Sequence, residues 1–311
     1  MTITLLAFAT VALMTVPPLA GASSTTATTG EASDLTASSA TLNGYIYPGD
    51  QQTSYYYQYG LTTAYDQQTT PTGLSSTTQT THVLVSVAGL SVYTTYHYRV
   101  VAVNAAGTTD GQDRTFTTKK IPLTFDVEAT PSQDLFATPF TVGGTLSGTG
   151  SADHAVVLQA NPFPYLGGFK SIGSPALTDA SGVFSFSVPG LAKNTQLRVA
   201  TVEAPSVSSS VLVEFVAVRV TLHLRPTGRR GYARFYGTVT PAEFGAPVEF
   251  QLLRPGRTPT TVASAPILHG TRMMSRFSRV VRIRRAGLYR AFVEVVNGEQ
   301  ASNSSRAILI R

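Results

Sequence analysis

The chain contains neither cysteine nor tryptophan, and only 13% of its 311 residues are charged. The lack of cysteine excludes disulfides, thiolate metal sites and cysteine nucleophiles. Thr, Ser, Gly and Val are abundant in place of charged residues, and these residues are typical of strands and turns. No stretch beyond the extreme N-terminus has a helical period. The sequence therefore predicts an all-β protein.

Motifs that carry chemistry are also scarce. The five histidines are scattered through the chain, and no two of them have metal-ligand spacing. There are no paired carboxylates, no Gly-x-Ser-x-Gly elbow and no phosphate-binding glycine loop. We therefore expect no enzymatic activity, no metal site and no cofactor.

An apolar segment, residues 5–20, leads into small residues that end at Ala22. This pattern predicts a signal peptide at residues 1–22, followed by a flexible Ser/Thr-rich leader at residues 23–30. The absence of Lys and Arg before the apolar segment leaves two alternatives, an upstream start or an atypical signal. Because the segment is short and broken by proline, we expect no transmembrane span in the mature chain. The expected location is extracellular, either secreted or attached to the cell surface or cell wall.

A short strand pattern recurs three times, at residues 42–48, 142–148 and 235–241. Its glycines are at positions 44, 144 and 237, so the copies are 100 and 93 residues apart. The alternation predicts a half-buried strand, and a period near 100 is the size of one immunoglobulin-like sandwich. The sequence thus predicts three tandem β-sandwiches after the signal peptide, at residues 31–118, 119–216 and 217–311.

The first predicted sandwich carries a more specific pattern: Tyr-Gln-Tyr-Gly at residues 57–60, then Leu90-x-Val92-x-Thr94-x-Tyr96. It resembles a fibronectin type III domain of bacterial exported proteins, and the two later segments resemble bacterial immunoglobulin-like repeats. The resemblance implies a tyrosine corner, in which the Tyr96 hydroxyl bonds to backbone near Leu90. We expect Leu42 and tyrosines of residues 55–59 to fill the core position that tryptophan usually takes in this fold.

Charge is divided unequally along the chain. Residues 1–218 have 7 basic against 13 acidic residues, whereas residues 219–311 have 16 arginines, no lysine and 4 glutamates. The densest arginines are our anion-binding candidates: Arg272, Arg276, Arg279, Arg282, Arg284, Arg285 and Arg290. Strand alternation predicts that Arg282 and Arg284 share a solvent face. Guanidinium groups hold phosphate or carboxylate oxygens bidentately. One interpretation is docking onto an anionic envelope polymer or other surface macromolecule; the alternative is a solvated face shaped by codon bias. No nucleic acid partner is expected.

Ten of the 14 tyrosines lie in the first predicted sandwich. Tyr55, Tyr57 and Tyr59 share one strand face, so Tyr56 on the other face is the candidate for an aromatic surface. Packing across sheets is the competing interpretation, and this fold favours it.

These features of the sequence together predict a non-catalytic exported binding or scaffold protein of the bacterial cell envelope with a role in adhesion. One alternative function is an accessory carbohydrate-binding or spacer module of an extracellular polysaccharide-degrading system. Another is a regulatory or assembly protein whose exposed strand edges pair with a partner.

Overall fold

The structure is a computed structural model that describes residues 24–130, 134–243 and 247–311. Every regular element in these ranges is a β-strand, as the sequence predicts. The predicted signal peptide, residues 1–22, lies outside the described residues. Within the described part of the chain, no helix is long and apolar enough to cross a membrane. The chain divides into two compact units, Met1–Ile121 and Pro122–Arg311.

The first unit is a sandwich of two antiparallel sheets. Its strands are β1 (Thr26–Thr29), β2 (Ser39–Tyr47), β3 (Thr53–Gly60), β4 (Gln67–Gln68), β5 (Thr72–Leu74), β6 (Thr81–Ala88), β7 (Thr95–Asn104), β8 (Gly107–Asp110) and β9 (Arg114–Thr117). One sheet has the order β1-β2-β6; the other has the order β4-β3-β7-β8, with β5 on β3 and β9 on β7. Leu42 and Tyr57 are completely buried in its core, as expected for the position without tryptophan.

The prediction of a flexible leader at residues 23–30 is wrong for Thr26–Thr29. Thr26–Thr29 forms β1, which pairs antiparallel with β2 and places Thr29 opposite Gly44. The Thr29 side chain is buried, and its hydroxyl accepts a hydrogen bond from the Val100 backbone at 3.3 Å. A threonine tract offers little to a core, but its backbone and hydroxyl groups find partners once a sheet edge is available. Those partners lie far along the chain, so local composition does not reveal them.

The second sandwich begins the second unit. Its strands are β10 (Thr124–Thr130), β11 (Asp134–Leu135), β12 (Phe140–Ser147), β13 (Ala155–Pro162), β14 (Lys170–Leu177), β15 (Val183–Val188), β16 (Thr195–Thr201), β17 (Leu212–Glu214) and β18 (Val216–Ala217). The sheets have the orders β10-β12-β15 and β14-β13-β16-β17, and β11 pairs with β18 in a short parallel sheet. Leu146 and Leu197 are among its completely buried core residues.

The third sandwich completes the second unit. Its strands are β19 (Arg219–Val220), β20 (His223–Pro226), β21 (Tyr232–Thr240), β22 (Pro247–Arg254), β23 (Arg257–Pro266), β24 (Leu268–Thr271), β25 (Met274–Arg282), β26 (Gly287–Val293), β27 (Asn303–Ser304) and β28 (Ile308–Ile310). One sheet has the order β19-β21-β25-β24, with β20 on β21; the other has the order β23-β22-β26-β27, with β28 on β26. Phe235, Phe250, Phe277 and Tyr289 fill a core that is separate from the cores of the other two sandwiches.

Hydrogen bonds join the second sandwich to the third. The backbone N–H of Asn194 donates to the Glu299 carbonyl at 2.6 Å, and its side-chain amide donates to the Gly298 carbonyl at 2.9 Å. The side chain of Gln300 donates to the Ala192 carbonyl at 2.9 Å, and Lys193 lies 2.8 Å from the Glu299 carboxylate. Since Asn194 and Gln300 are buried, these bonds are shielded from competition by water and fix the joint.

Candidate anion-binding site

A cleft of about 680 Å³ lies between the two sheets of the third sandwich. Strands β22 and β23 form one wall, and β25 with the turn that follows it forms the other. Four of the seven predicted arginines line the cleft, together with one that the sequence analysis missed; the five are Arg254, Arg279, Arg282, Arg284 and Arg285. We call this feature the arginine cleft.

Two of these arginines are held by hydrogen bonds, one within a wall of the cleft and one between its walls. Arg279 extends from β25 and donates to the backbone carbonyl of Ser264 on β23. Arg254 ends β22, and its Nη2 donates to the Thr260 hydroxyl at 3.0 Å. The Nε of Arg254 is buried and has no hydrogen-bond partner among the described residues. A buried N–H without an acceptor costs free energy unless water or a ligand supplies one.

The turn that carries Arg284 and Arg285 is anchored by a buried tyrosine. The Tyr289 hydroxyl donates to the Arg285 carbonyl at 2.7 Å, and the Ile283 N–H donates to the Gly231 carbonyl at 2.8 Å. Burial raises the pKa of Tyr289, so its hydroxyl keeps the proton that it donates. Arg282 and Arg284 are both exposed, whereas Val281 and Ile283 pack against the core, as the predicted alternation requires, although β25 itself ends at Arg282. Both arginines line the arginine cleft.

The arginines of the cleft are in no ion pair with a described carboxylate; Glu249 comes near only through the hydroxyl of Thr261, which donates to it at 2.9 Å. The described residues that line it include no Asp or Glu. None of the ion pairs found between described residues involves an arginine of residues 219–311. Where these arginines donate hydrogen bonds, the acceptors are neutral; they belong to Phe136, Thr138, Tyr236, Gln251, Thr260, Ser264, Ser278 and Ser304. The side chains are thus oriented without losing their positive charge.

The other three candidates lie elsewhere. Arg272 is in the turn between β24 and β25, and Arg276 is exposed on β25 opposite Leu268. Arg290 is on β26 in the other sheet, where its Nε donates to the Gln251 side chain at 2.9 Å. None of the three is among the lining residues of the arginine cleft.

The bond of Arg290 belongs to a pattern that all three sandwiches repeat. In each, an arginine Nε donates to the side-chain oxygen of the glutamine directly opposite on the neighbouring strand. The distances are 2.8 Å for Arg99 with Gln58, 2.8 Å for Arg198 with Gln159 and 2.9 Å for Arg290 with Gln251. Each of these arginines and glutamines stands between two apolar residues. The arginine follows its glutamine by 41, 39 and 39 residues in the three sandwiches. That spacing is the signal that the sequence analysis missed, and it gives Arg290 a structural role.

Both arginines of the first sandwich lie against carboxylates instead. Arg99 lies 2.7 Å from Asp110, and Asp113 accepts hydrogen bonds from Tyr65 at 2.7 Å and His97 at 2.8 Å. Burial opposes ionisation of Asp113, but the bonds from Tyr65 and His97 outweigh it and lower its pKa. Burial, together with the bond to Asp113, raises the pKa of Tyr65 to about 12.

The remaining predicted residues are in the first sandwich. The Tyr96 hydroxyl accepts a hydrogen bond from the Ser91 N–H at 2.9 Å, next to the buried Leu90, which is the geometry of a tyrosine corner. Tyr56 lies half-buried on the outer face of β3, opposite Val101 on β7. Among described residues, no group of three or more His, Asp or Glu side chains could hold a metal ion.

No protein-family model matches the chain, and no curated protein matches it either. Solved structures of tandem sandwiches do align with it over most of its length. The FN1–FN3 domains of chicken CNTN1 cover 90% of this chain and 96% of their own, with 12% identity and a TM-score of 0.28. The alignment with a marsupial T cell receptor covers 91% of this chain and 99% of the receptor chain, with 10% identity and a TM-score of 0.31. A tetra-tandem repeat from the extending region of a large adhesion protein covers 92% and 74%, with 14% identity and a TM-score of 0.29. At these scores the likeness carries no functional argument, and the description as tandem β-sandwiches rests on the strand pairing and the three cores.

Proposed function

We propose that this chain is a non-catalytic, exported scaffold or adhesion protein of a bacterial cell envelope, and that its third sandwich contacts an anionic partner there. The observation that supports this most is the arginine cleft. Two of its guanidinium groups, those of Arg254 and Arg279, are oriented by neutral acceptors, and none of the five is in an ion pair between described residues. A surface that needed arginine only for solubility would not require neutral side chains and turns to orient it.

The chemistry of the arginine cleft suits oxyanions on a polymer. Each guanidinium has five N–H donors in a planar fork, which matches phosphate or carboxylate oxygens. Five such groups around one concave space focus positive potential into it and raise the local concentration of anions. The rest of the chain is acidic, with 7 basic against 13 acidic residues in positions 1–218, so attraction is directed to the third sandwich.

The proposal is tested by measuring binding of the full chain to two fluorescent polyanions, long-chain polyphosphate and poly-L-glutamate. We expect affinity to fall steeply between about 50 and about 200 mM NaCl, because binding releases condensed counterions. Tighter binding of polyphosphate would assign phosphate as the preferred group, and tighter binding of poly-L-glutamate would assign carboxylate.

A matched pair of variants separates the arginine cleft from general basicity. The triple variant Arg282→Gln, Arg284→Gln, Arg285→Gln should weaken binding at least about tenfold, because it removes three of the five cleft charges. The control variant Arg257→Gln, Arg306→Gln, Arg311→Gln removes three exposed charges of the same sandwich outside the cleft and should have a smaller effect. Equal losses in the two variants, or affinity that ignores salt, would contradict the proposal.

A further inference from the structure

The outer face of the sheet β1-β2-β6 in the first sandwich carries an exposed aromatic pair. Tyr45 on β2 lies directly opposite His82 on β6, with ring centroids 5.0 Å apart and planes tilted by 32°. Tyr45 is 47% exposed and takes no part in the core of the sandwich. Apolar ring surface that remains in water is available to a ligand that has both an apolar and a polar side.

A cleft of about 410 Å³ lies beside this pair. Its other walls are residues 28–31, Asn43 and Arg114. The volume is within the range of about 300–1,000 Å³ that is typical of small-molecule sites. Residues 28–31 include the end of β1, so this wall exists because the predicted leader folds onto β2.

An acidic, a basic and an amide side chain lie together at this cleft. The Glu31 carboxylate lies 3.6 Å from the Arg114 guanidinium, and both side chains are exposed. The Asn43 side chain donates to the Glu31 carbonyl at 2.8 Å and to the Ser33 hydroxyl at 3.1 Å, which leaves its oxygen as an acceptor for a ligand. Carboxylate and amide oxygens accept and guanidinium donates, whereas a sugar hydroxyl does both. One negative and one positive group balance, so the site has no preference for a charged polymer.

Hydrogen bonds within the protein hold the wall of the cleft in place. The Gly30 N–H donates to the Asn43 carbonyl at 2.7 Å, and the buried Tyr98 hydroxyl donates to the Gly30 carbonyl at 2.6 Å. A side chain at position 30 would approach the Asn43 carbonyl to 3.1 Å, so glycine permits this close contact. A preformed wall reduces the entropy that binding would otherwise cost.

We propose that this cleft binds one ring of a neutral hexose-type glycan. The C–H face of the sugar packs on the exposed ring of Tyr45, which His82 contacts from the neighbouring strand, and its hydroxyls bond to Glu31, Asn43 and Arg114. This site is independent of the arginine cleft and gives the first sandwich a ligand of its own. It is also the kind of site that an accessory carbohydrate-binding role requires.

The test uses the full chain and a panel of four soluble oligosaccharides: cellohexaose, maltohexaose, mannohexaose and N-acetylchitohexaose. Calorimetric or ligand-observed NMR titrations should detect at least one of them with a Kd below about 5 mM. Tyr45→Ala should weaken that binding at least about tenfold, equivalent to about 1.4 kcal/mol. Tyr56→Ala is the matched control, since it removes the same side chain from the outer face of the other sheet, and it should leave binding unchanged.

Two further measurements keep the outcome decisive. If Tyr45→Ala fails to fold, His82→Ala and Glu31→Gln replace it and are each expected to weaken binding. Binding should be nearly constant from about 50 to about 500 mM NaCl, because the ligand is neutral, unlike polyanion binding at the arginine cleft. The proposal is overturned if no oligosaccharide of the panel binds, if the cleft variants bind as the unmodified chain does, or if Tyr56→Ala abolishes binding equally. Polyanion binding is measured separately, so either proposal can fail alone.

Discussion

Arg99 in the first sandwich and Arg290 in the third hold equivalent places, each bonded through Nε to the glutamine opposite. Arg99 also lies 2.7 Å from the Asp110 carboxylate, whereas Arg290 has only neutral acceptors, Gln251 and Ser304. The same difference extends to the surrounding surface. Both arginines of the first sandwich lie against carboxylates, whereas no arginine of the third is in an ion pair between described residues. A shared framework thus allows the sandwiches to differ in their surface chemistry without changing their strands.

The recurring glycine gives the strongest contrast between these two sandwiches. A methyl group at Gly237 would collide with the Thr221 carbonyl and lie 2.7 Å from the Phe277 ring, whereas at Gly44 it would lie 2.9 Å from the Tyr57 hydroxyl. We expect Gly237→Ala to destabilise the third sandwich by about 3 kcal/mol and Gly44→Ala to destabilise the first by about 1–2 kcal/mol, because backbone yields less than a side-chain end. Hydrogen exchange resolved by peptide would measure both, and equal losses would contradict the difference.

The anchoring tyrosines provide a second contrast. Tyr96→Phe and Tyr289→Phe each remove one hydroxyl bond, and each should lower the free energy of unfolding by about 0.5–1.5 kcal/mol. Only Tyr289→Phe should also weaken polyphosphate binding, because it releases the turn that carries Arg284 and Arg285. Denaturant unfolding and fluorescence anisotropy would measure the two effects. A loss of affinity in Tyr96→Phe would show that the effect is not specific to the arginine cleft.

Single arginine substitutions should separate the structural from the binding role. Arg290→Gln should reduce stability by about 0.5–1.5 kcal/mol and leave polyphosphate affinity unchanged, because its two neutral bonds are lost outside the cleft. Arg282→Gln should leave stability nearly unchanged and weaken affinity several-fold at low salt, since an exposed cleft charge is lost. The opposite result in the two variants would make Arg290 the binding residue.

The smallest contrast is in the response to pH. Hydrogen bonds from Tyr65 and His97 overcome burial and lower the pKa of Asp113, so its stabilisation is present above its unfolded pKa and is lost as pH falls through the folded value. Burial, with the charge of Glu299, raises the pKa of Glu243, so its stabilisation is present at acid pH and is lost as pH rises through the folded value.

Thermal unfolding between about pH 3 and pH 7 of the unmodified chain, Asp113→Asn and Glu243→Gln would test these signs. The advantage of the unmodified chain over Asp113→Asn should shrink as the solution is acidified. The unmodified chain should be less stable than Glu243→Gln near neutral pH, and this difference should also shrink as the solution is acidified. A pH-independent difference in either comparison would show that the carboxylate does not titrate as expected.

Much of the fold could be predicted because its signals are local. Alternation around Gly44, Gly144 and Gly237 identifies one strand in each sandwich, and the spacing before Tyr96 identifies the corner. The arginine cleft could be predicted only in part. Arg279, Arg282, Arg284 and Arg285 stand out by their density, but Arg254 lies outside that dense segment and reaches the cleft through sheet pairing. Arg290 belongs to the arginine-dense segment but has a structural role, because it bonds to Gln251. The sequence does not show this directly, since Gln251 lies 39 residues away.

The sequence by itself determined the all-β composition, the period of the sandwiches and the segregation of charge, since these follow from residue types and short-range alternation. Only the tertiary structure decided which side chains share a space. It paired β1 with β2, placed Arg254 across from Arg279, and set Tyr45 beside Glu31 and Arg114. The reason is physical. Strand pairing and the gap between sheets bring together residues far apart in the chain. Such contacts cannot be predicted from composition or from short-range alternation.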